Sequence, residues 1–357
     1  MTKAEQKRKE KKMKESVKKS GWKLVFVGLV LLLMPEGLYA QATSTHPAVT
    51  LPVLTAPFGT SDYYQFLAME QLVKEIHPWL RVKTLETPGS VYNVTEMAKN
   101  ANIRKTSLVC LSEGSRWLGE QGQVPYKESI KFTGWKPLFG MTMLTNYFVS
   151  LNPKIKTPQD LANARLGTGR AVQSHWCIYP LLFLEKGNDL KLGKVDKLGT
   201  MESVRALLDR VVDAIAIADY FTGDLQKRVA AAPMKELESS GHPLYYIEIC
   251  NDTAMKKIKG MGAPFLTVTI PTGKLINQKQ PIMSFADIEC AYAHESFPED
   301  IAYEVTKFVI KNIDKLCVQN NFWNLSNDAT WVSGQSMKTL HPGAIRAYKE
   351  AGIKIPE

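Results

Sequence analysis

The chain has 357 residues and a formal net charge of +10, with 45% hydrophobic and 22% charged residues. These proportions exclude a disordered or collagen-like chain and leave room for one large domain or two medium ones. The positive charge does not mark a nucleic-acid binder: residues 1–40 hold ten Lys/Arg against four Asp/Glu, leaving 35 basic and 31 acidic residues elsewhere, with no basic stripe interleaved with aromatics.

The excess sits in a leader with the parts of a signal peptide. Lys3 to Lys19 form a basic region and Leu24 to Met34 an apolar one, broken by Pro35 and Gly37. Ala40-Gln41-Ala42 then offers small residues at the spacing a signal peptidase reads. The apolar run is shorter than the roughly 20 residues a spanning helix needs. Cleavage is expected, with retention as an uncleaved anchor as the alternative. No Cys lies near the cleavage region, so a lipid anchor is not expected. Five cysteines follow (Cys110, Cys177, Cys250, Cys290 and Cys317) without a CxxC pair. An oxidising compartment allows two disulfides and leaves one thiol over; burial as small apolar residues is the alternative.

Leu51 to Ala56 reads as a strand and Phe58-Gly59-Thr60-Ser61-Asp62 as a turn. Phe66, Met69, Val73 and Ile76 then recur at helical spacing up to His77-Pro78. Leu80 to Glu86 is a second strand, Thr87-Pro88-Gly89-Ser90 a second turn, and Val91, Val94, Met97 and Ala101 a second helical stripe. Ser107 to Leu111 is a short apolar strand. Thr157-Pro158-Gln159-Asp160 carries a capping box with Pro at the first helical position. A strand ending near Gly167 leads into a third turn, Thr168-Gly169-Arg170-Ala171, and a helix toward Phe183. Val204, Leu207, Leu208 and Val211 mark another helix, and Ala214 to Ala218 a compact strand bounded by Asp213 and Asp219. Strand-rich sequence returns at Leu266 to Ile270. Pro298-Glu299-Asp300 opens a long helix with Pro at its first position and acids in its first turn, and its stripe of Ile301, Val305, Phe308, Asn312 and Leu316 has one polar member. A last helix follows His341-Pro342-Gly343. Strand–turn–helix repetition predicts an α/β fold with a largely parallel sheet.

Enzymatic signatures are missing. The six histidines show no ligand spacing, no HExxH and no GxSxG occurs, and Gly167-Thr168-Gly169 lacks the third glycine of a dinucleotide fingerprint. No cofactor, metal or catalytic residue is expected. What recurs is geometry: three times a strand runs through a small or polar turn into a helix start, where unpaired N–H groups favour an anion or carboxylate. In open α/β sheets such turns gather at the carboxyl ends of strands, where ligands bind.

On these motifs the chain resembles the TAXI-type solute receptors of TRAP transporters. Phe58 to Tyr64 is similar to the family's first turn with its tyrosine pair, Thr87 to Asn93 to its second turn, and Leu161 to Gly169 to a helix feeding a strand that ends in glycine. Phe297 to Ile301 and Leu340 to Ala344 are similar to its two C-terminal helix starts. The resemblance covers nearly everything after about residue 50. It implies a two-lobed periplasmic binding protein fold, type II-like, with ligand in the cleft. One lobe comprises 48–146 plus 251–357 and the other 147–250, after a signal peptide of residues 1–42. It implies a monomeric, non-enzymatic periplasmic receptor that passes a small carboxylate or amino-acid-like solute to TRAP permease subunits, with no nucleic-acid partner. A sensory binding protein of the same fold, or an exported α/β enzyme, is the alternative.

The ligand-binding residues expected on this reading are Phe58, Thr60, Ser61, Asp62, Tyr63, Ser90, Val91, Glu113, Arg170, Gln173, Ser174, His175, Trp176 and Asp219. Pro57, Phe58 and Asp62 depart from the family's glycine-rich first turn, and Arg170, Gln173, His175 and Trp176 from its small-residue third turn, so ligand identity does not transfer. Arg170 either clamps a carboxylate or stands as a solvated surface arginine. Asp62 either caps a helix or faces the cleft, where it disfavours an anion and favours an ammonium group. Arg170 and Asp62 together would suit a zwitterion. Trp176 either stacks on a planar ligand or packs as a plain apolar contact.

Overall fold

The computed structural model describes residues 47–58, 60–126, 130 and 133–357. The signal-peptide features fall before residue 47, outside the described residues. Residues 47–357 form one compact unit.

Among the described residues eleven strands make one sheet: β1 (Val49–Leu54), β2 (Leu80–Leu85), β3 (Leu108–Ser112), β4 (Trp135–Ser150), β5 (Leu166–Thr168), β6 (Val195–Lys197), β7 (Ala214–Phe221), β8 (Arg228–Val229), β9 (Tyr245–Ile247), β10 (Leu266–Ile270) and β11 (Ile282–His294). The main order is β2-β1-β3-β11-β4-β7-β5-β6. Parallel pairs lie at both ends, β2-β1-β3 in one wing and β7-β5-β6 in the other. Between them β3-β11, β11-β4 and β4-β7 are antiparallel. The α/β class expected from the sequence is the class found; the antiparallel centre is the addition.

The two long central strands carry the chain between the wings. β4 pairs with β11 over Trp135–Thr145 and with β7 over Met143–Ser150. Helices and loops cover both of its faces, so from Pro137 onward every residue is buried. Its sequence therefore lacks the alternation of a half-exposed strand. Gly140 is required there, because a Cβ would lie 2.2 Å from the carbonyl oxygen of Thr330. The register of β11 against β4 slips next to Glu289 and again beyond Ala291, as bulges do where a sheet must bend.

One core packs the helices Ser61–Ile76, Glu299–Gln319 and Pro342–Glu350 on the first wing, around Phe66, Met69, Val305, Trp323 and Tyr348. The other runs from the helices Ser90–Lys99 and Glu113–Gln121 into the second wing. Aromatic rings make that bridge: Trp117 meets Phe265 at 6.3 Å, Phe265 meets Tyr179 at 4.9 Å, and Phe183 stacks on Phe285 at 3.9 Å.

Local signals match in most places. Thr157 and Asp160 form the capping box that opens Pro158–Ala162. His341 caps Pro342–Glu350 through its Nδ1, which accepts from the Gly343 N–H. Three details differ. Pro298 stands at the N-cap of Glu299–Gln319, one position before the first helical residue. Asn312, the polar member of that stripe, leaves helical geometry at φ −119°, ψ 17°, and its amide donates to Phe308 O at 2.9 Å. The helix Thr200–Leu208 stops before Val211, because Arg210 adopts a left-handed φ of 58°. All five cysteines are free thiols, and four of them are buried.

Candidate ligand-binding site

The expected residues lie in the segments that follow β1, β2, β3 and β5 and within β7. In the first turn Phe58 is exposed; its ring meets Tyr63 and Tyr64 edge-on at 5.6 and 5.4 Å. Thr60 is the N-cap of Ser61–Ile76, with its hydroxyl donating to Pro57 O at 2.8 Å. Ser61 and Asp62 are buried. Burial pushes the Asp62 carboxyl up, against hydrogen bonds from the Thr60 side chain and the Tyr63 backbone. Its Oδ2 has no partner among the described residues.

Ser90 and Val91 open the helix Ser90–Lys99 and are half-buried. The turn before them is anchored by its own side chains. The Asn93 amide donates to Thr55 O and Cys110 O at 2.7 Å and to Leu54 O at 3.2 Å. The Thr87 hydroxyl lies 2.5 Å from Thr55 O and 2.9 Å from Asn93 Oδ1. Two side chains of the motif thus hold the ends of β1 and β3 together.

The third turn is divided. Arg170 is exposed, and its backbone N–H donates to Gln173 Oε1 at 2.6 Å. Trp176 packs on the core, and its carbonyl accepts from the Gly169 N–H at 2.8 Å. Ser174 and His175 turn inward on the π-turn Ser174–Ile178. Arg170 and Asp62 therefore sit in opposite settings, one in solvent and one buried, and do not make a common clamp.

Ser174 and His175 meet residues of the first wing. Ser174 Oγ lies 3.3 Å from Ser115 Oγ, and the Tyr179 hydroxyl lies 3.1 Å from Ser115 Oγ and 3.3 Å from Ser112 Oγ. Asp287, in the middle of β11, accepts from the Gly114 N–H at 3.2 Å and lies 3.6 Å from His175 Nε2. Gly114 allows this approach, since a Cβ there would come within 2.7 Å of both Asp287 Oδ2 and the Tyr179 hydroxyl. The Asn146 amide donates to His175 O at 2.5 Å, and its oxygen lies 3.5 Å from His175 Nδ1. Burial raises Asp287 to about 7 and lowers His175 to about 3, the directions desolvation gives an acid and a base.

Two expected residues are engaged elsewhere. Glu113 pairs with Arg116 at 2.9 Å and accepts from Gln335 at 3.0 Å and from the Tyr292 hydroxyl. It lines a cavity of about 420 Å³ with Arg116, Trp135, Asp287, Tyr292 and Gln335. Asp219 is fully buried and accepts from Arg228 Nε at 2.5 Å, Ala231 N–H at 2.9 Å and the Tyr147 hydroxyl at 3.1 Å. Removing one partner of such a pair leaves a buried charge. Arg228→Met is expected to lower stability by about 3 kcal/mol in chemical denaturation, because Asp219 keeps two neutral donors. Adding Asp219→Asn should recover most of that loss; an additive double variant would contradict the pairing.

A family model described as NMT1-like matches residues 53–352. The chain belongs to the NMT1-like family. No curated protein matches the chain. Among solved structures this NMT1-like chain is similar to the malate-bound MatC protein of Rhodopseudomonas palustris. The identity is 13%, 86% of this chain and 97% of that one are covered, and the TM-score is 0.46. It is also similar to a TctC solute binding protein from Polaromonas (11% identity, 87% and 91% covered, TM-score 0.46). The periplasmic aliphatic sulphonate binding protein SsuA of Escherichia coli is a third (13% identity, 85% and 83% covered, TM-score 0.41).

Sequence reasoning passed over Ser112, Ser115, Thr142, Asn146, Tyr179, Asp287 and Glu289 of this NMT1-like chain. One signal for the last two was on view. Asp287 and Glu289 stand two apart within Ile282–His294, an otherwise largely apolar run, and charges inside a buried strand are rare unless partnered or functional.

Proposed function

We propose that this protein is an exported, non-enzymatic solute-binding receptor that captures an amino-acid-like solute or small carboxylate in the periplasm. It delivers that solute to the membrane permease subunits of a TRAP-type transporter, as the TAXI-like motifs imply. One observation carries the reading: a buried polar cluster built from both wings at the ends of their strands, with Ser112, Ser115 and Asp287 meeting Ser174, His175 and Tyr179. A few polar groups converging in an apolar surround at the ends of strands are what α/β proteins use to take small ligands. On this reading the wings, joined through β4 and β11, are lobes that rock about those strands as a solute enters and leaves.

Within the cluster the hydroxyls of Ser112 and Ser115 turn to Tyr179, and the His175 ring faces Asn146 and Asp287. That supports binding over nucleophilic chemistry, which needs a base on the attacking hydroxyl. The test is thermal unfolding of the full-length protein against amino acids, amines, dicarboxylates and sugars. A ligand of the folded state alone stabilises by RT ln(1 + [L]/Kd), about 2.7 kcal/mol at roughly 100 Kd. A saturable shift by a compound recovered chemically unchanged is expected. A compound consumed during the scan would point to an enzyme instead.

A further inference from the structure

Beside that cluster lies a second group of polar side chains with atoms left without partners among the described residues. Asp62, in the first turn of Ser61–Ile76, is 3% exposed and has an Oδ2 without a partner among the described residues. Glu289 stands in the interior of β11, opposite Thr142 of β4 and Ser112 of β3 in the strand registers. Cross-strand partners present their side chains to the same face, so Thr142 stands beside the Glu289 carboxyl. Thr142 is fully buried, and its hydroxyl also has no partner among the described residues. No hydrogen bond from a described residue reaches the Glu289 carboxyl, and it and Asp62 act on each other as like charges. Burial and the mutual repulsion hold Glu289 well above the usual carboxylate range. The second wing supplies Tyr220, whose hydroxyl is hydrogen-bonded to the Ser61 side chain and whose ring meets Phe322 edge-on at 5.3 Å.

Two neighbouring carboxyls, Asp62 buried and Glu289 half-buried, are a costly arrangement when like charge is what each presents to the other. A cation that arrives with its own hydrogen-bond donors relieves it. An ammonium has that charge and up to three donors, matching the three groups left without partners: Asp62, Glu289 and Thr142. The aromatic rings of Tyr220 and Phe322 close to the same site favour a soft organic cation. Arg170, the cation the sequence offered for a carboxylate, stands in solvent instead.

We infer that the solute is an organic amine, and that Asp62 and Glu289 receive its ammonium group with the Thr142 hydroxyl beside them. The inference rests on the receptor reading above and adds the sign of the ligand's charge and the residues that select it.

The test is calorimetric titration of the full-length protein with putrescine, γ-aminobutyrate, succinate and calcium chloride at matched ionic strength. At least one of the two amines is expected to bind and succinate is not. Glu289→Gln and Asp62→Asn should each weaken that binding at least tenfold, with Arg170→Ala within twofold of the parent. Both neutralised variants should melt no lower than the parent, because each removes one of two neighbouring acids, so lost binding is separable from lost folding. The inference is overturned if neither amine binds, if succinate binds as tightly as an amine, if calcium alone binds, or if Glu289→Gln leaves amine affinity unchanged. Mass spectrometry of what denaturation releases from freshly purified protein separates the two readings. A released carboxylate without an amine sinks the inference and leaves the receptor. No binding and no released solute removes the receptor as well.

Discussion

Asn93→Leu, which keeps the branched skeleton of the side chain, is expected to destabilise the protein by about 3–5 kcal/mol. The Asn93 amide donates to Leu54 O, Thr55 O and Cys110 O, and the side chain is fully buried. Leucine supplies none of these donors. Thr55 O keeps the Thr87 hydroxyl at 2.5 Å, but the other two carbonyls lose that donor, and each orphaned buried group costs about 1–3 kcal/mol. Asn93→Asp, with the same shape and no N–H, should be at least as damaging. Chemical denaturation with an unchanged m-value checks this. A loss below about 1 kcal/mol for Asn93→Leu would show that the strand ends are held by packing alone.

The second large effect concerns acidity. His175 Nε2 and Asp287 Oδ2 lie 3.6 Å apart, with His175 lowered to about 3 and Asp287 raised to about 7 by burial. The two groups act in opposite directions. A buried acid whose folded pKa is raised binds a proton that the unfolded chain has released. Its stability contribution is complete below the unfolded value near 4 and is lost as pH rises toward 7. A base whose folded pKa is lowered does the reverse: its stability is present above about 6.5 and is lost as pH falls toward 3. Between roughly pH 4 and 6.5 the folded pair and the unfolded pair each hold one proton, so stability from this pair is nearly flat there.

Single substitutions should break that balance. Asp287→Asn leaves the histidine alone, and stability should fall by up to about 1.4 kcal/mol for each pH unit below 6.5. His175→Asn leaves the acid alone, and stability should fall at a similar slope as pH rises from about 4 to 7. The double variant should be flat again. Urea denaturation at a series of pH values reads all four proteins. Parallel curves for the two single variants would mean that the groups do not titrate as a buried pair.

Much of the outer architecture is legible in the residues. The strand–turn–helix rhythm from Leu51 to Leu111 survives as β1, β2, β3 and their helices. The capping box at Thr157 and the helix start at His341 are where local spacing puts them. The Thr87–Asn93 motif, noticed as a pattern, turns out to tie two strands by side-chain hydrogen bonds. Local signals succeed here because capping, turn chemistry and helical stripes act over a few neighbouring residues.

The centre of the molecule was not legible in the same way. Trp135–Ser150 is buried on both faces and shows no period of two, and Ile282–His294 is interrupted by the acids that matter most. The sequence by itself therefore determined the α/β class, most of the helices and the strand ends around which a site could form. Only the tertiary structure decided that Ser115 meets Ser174, that Asp287 meets His175, and that Asp62 is buried near Glu289 while Arg170 stays in solvent. These partners lie tens to hundreds of positions apart. Which of them meet is fixed by sheet order and by burial on both sides of two long strands, and neither property belongs to any single stretch of chain.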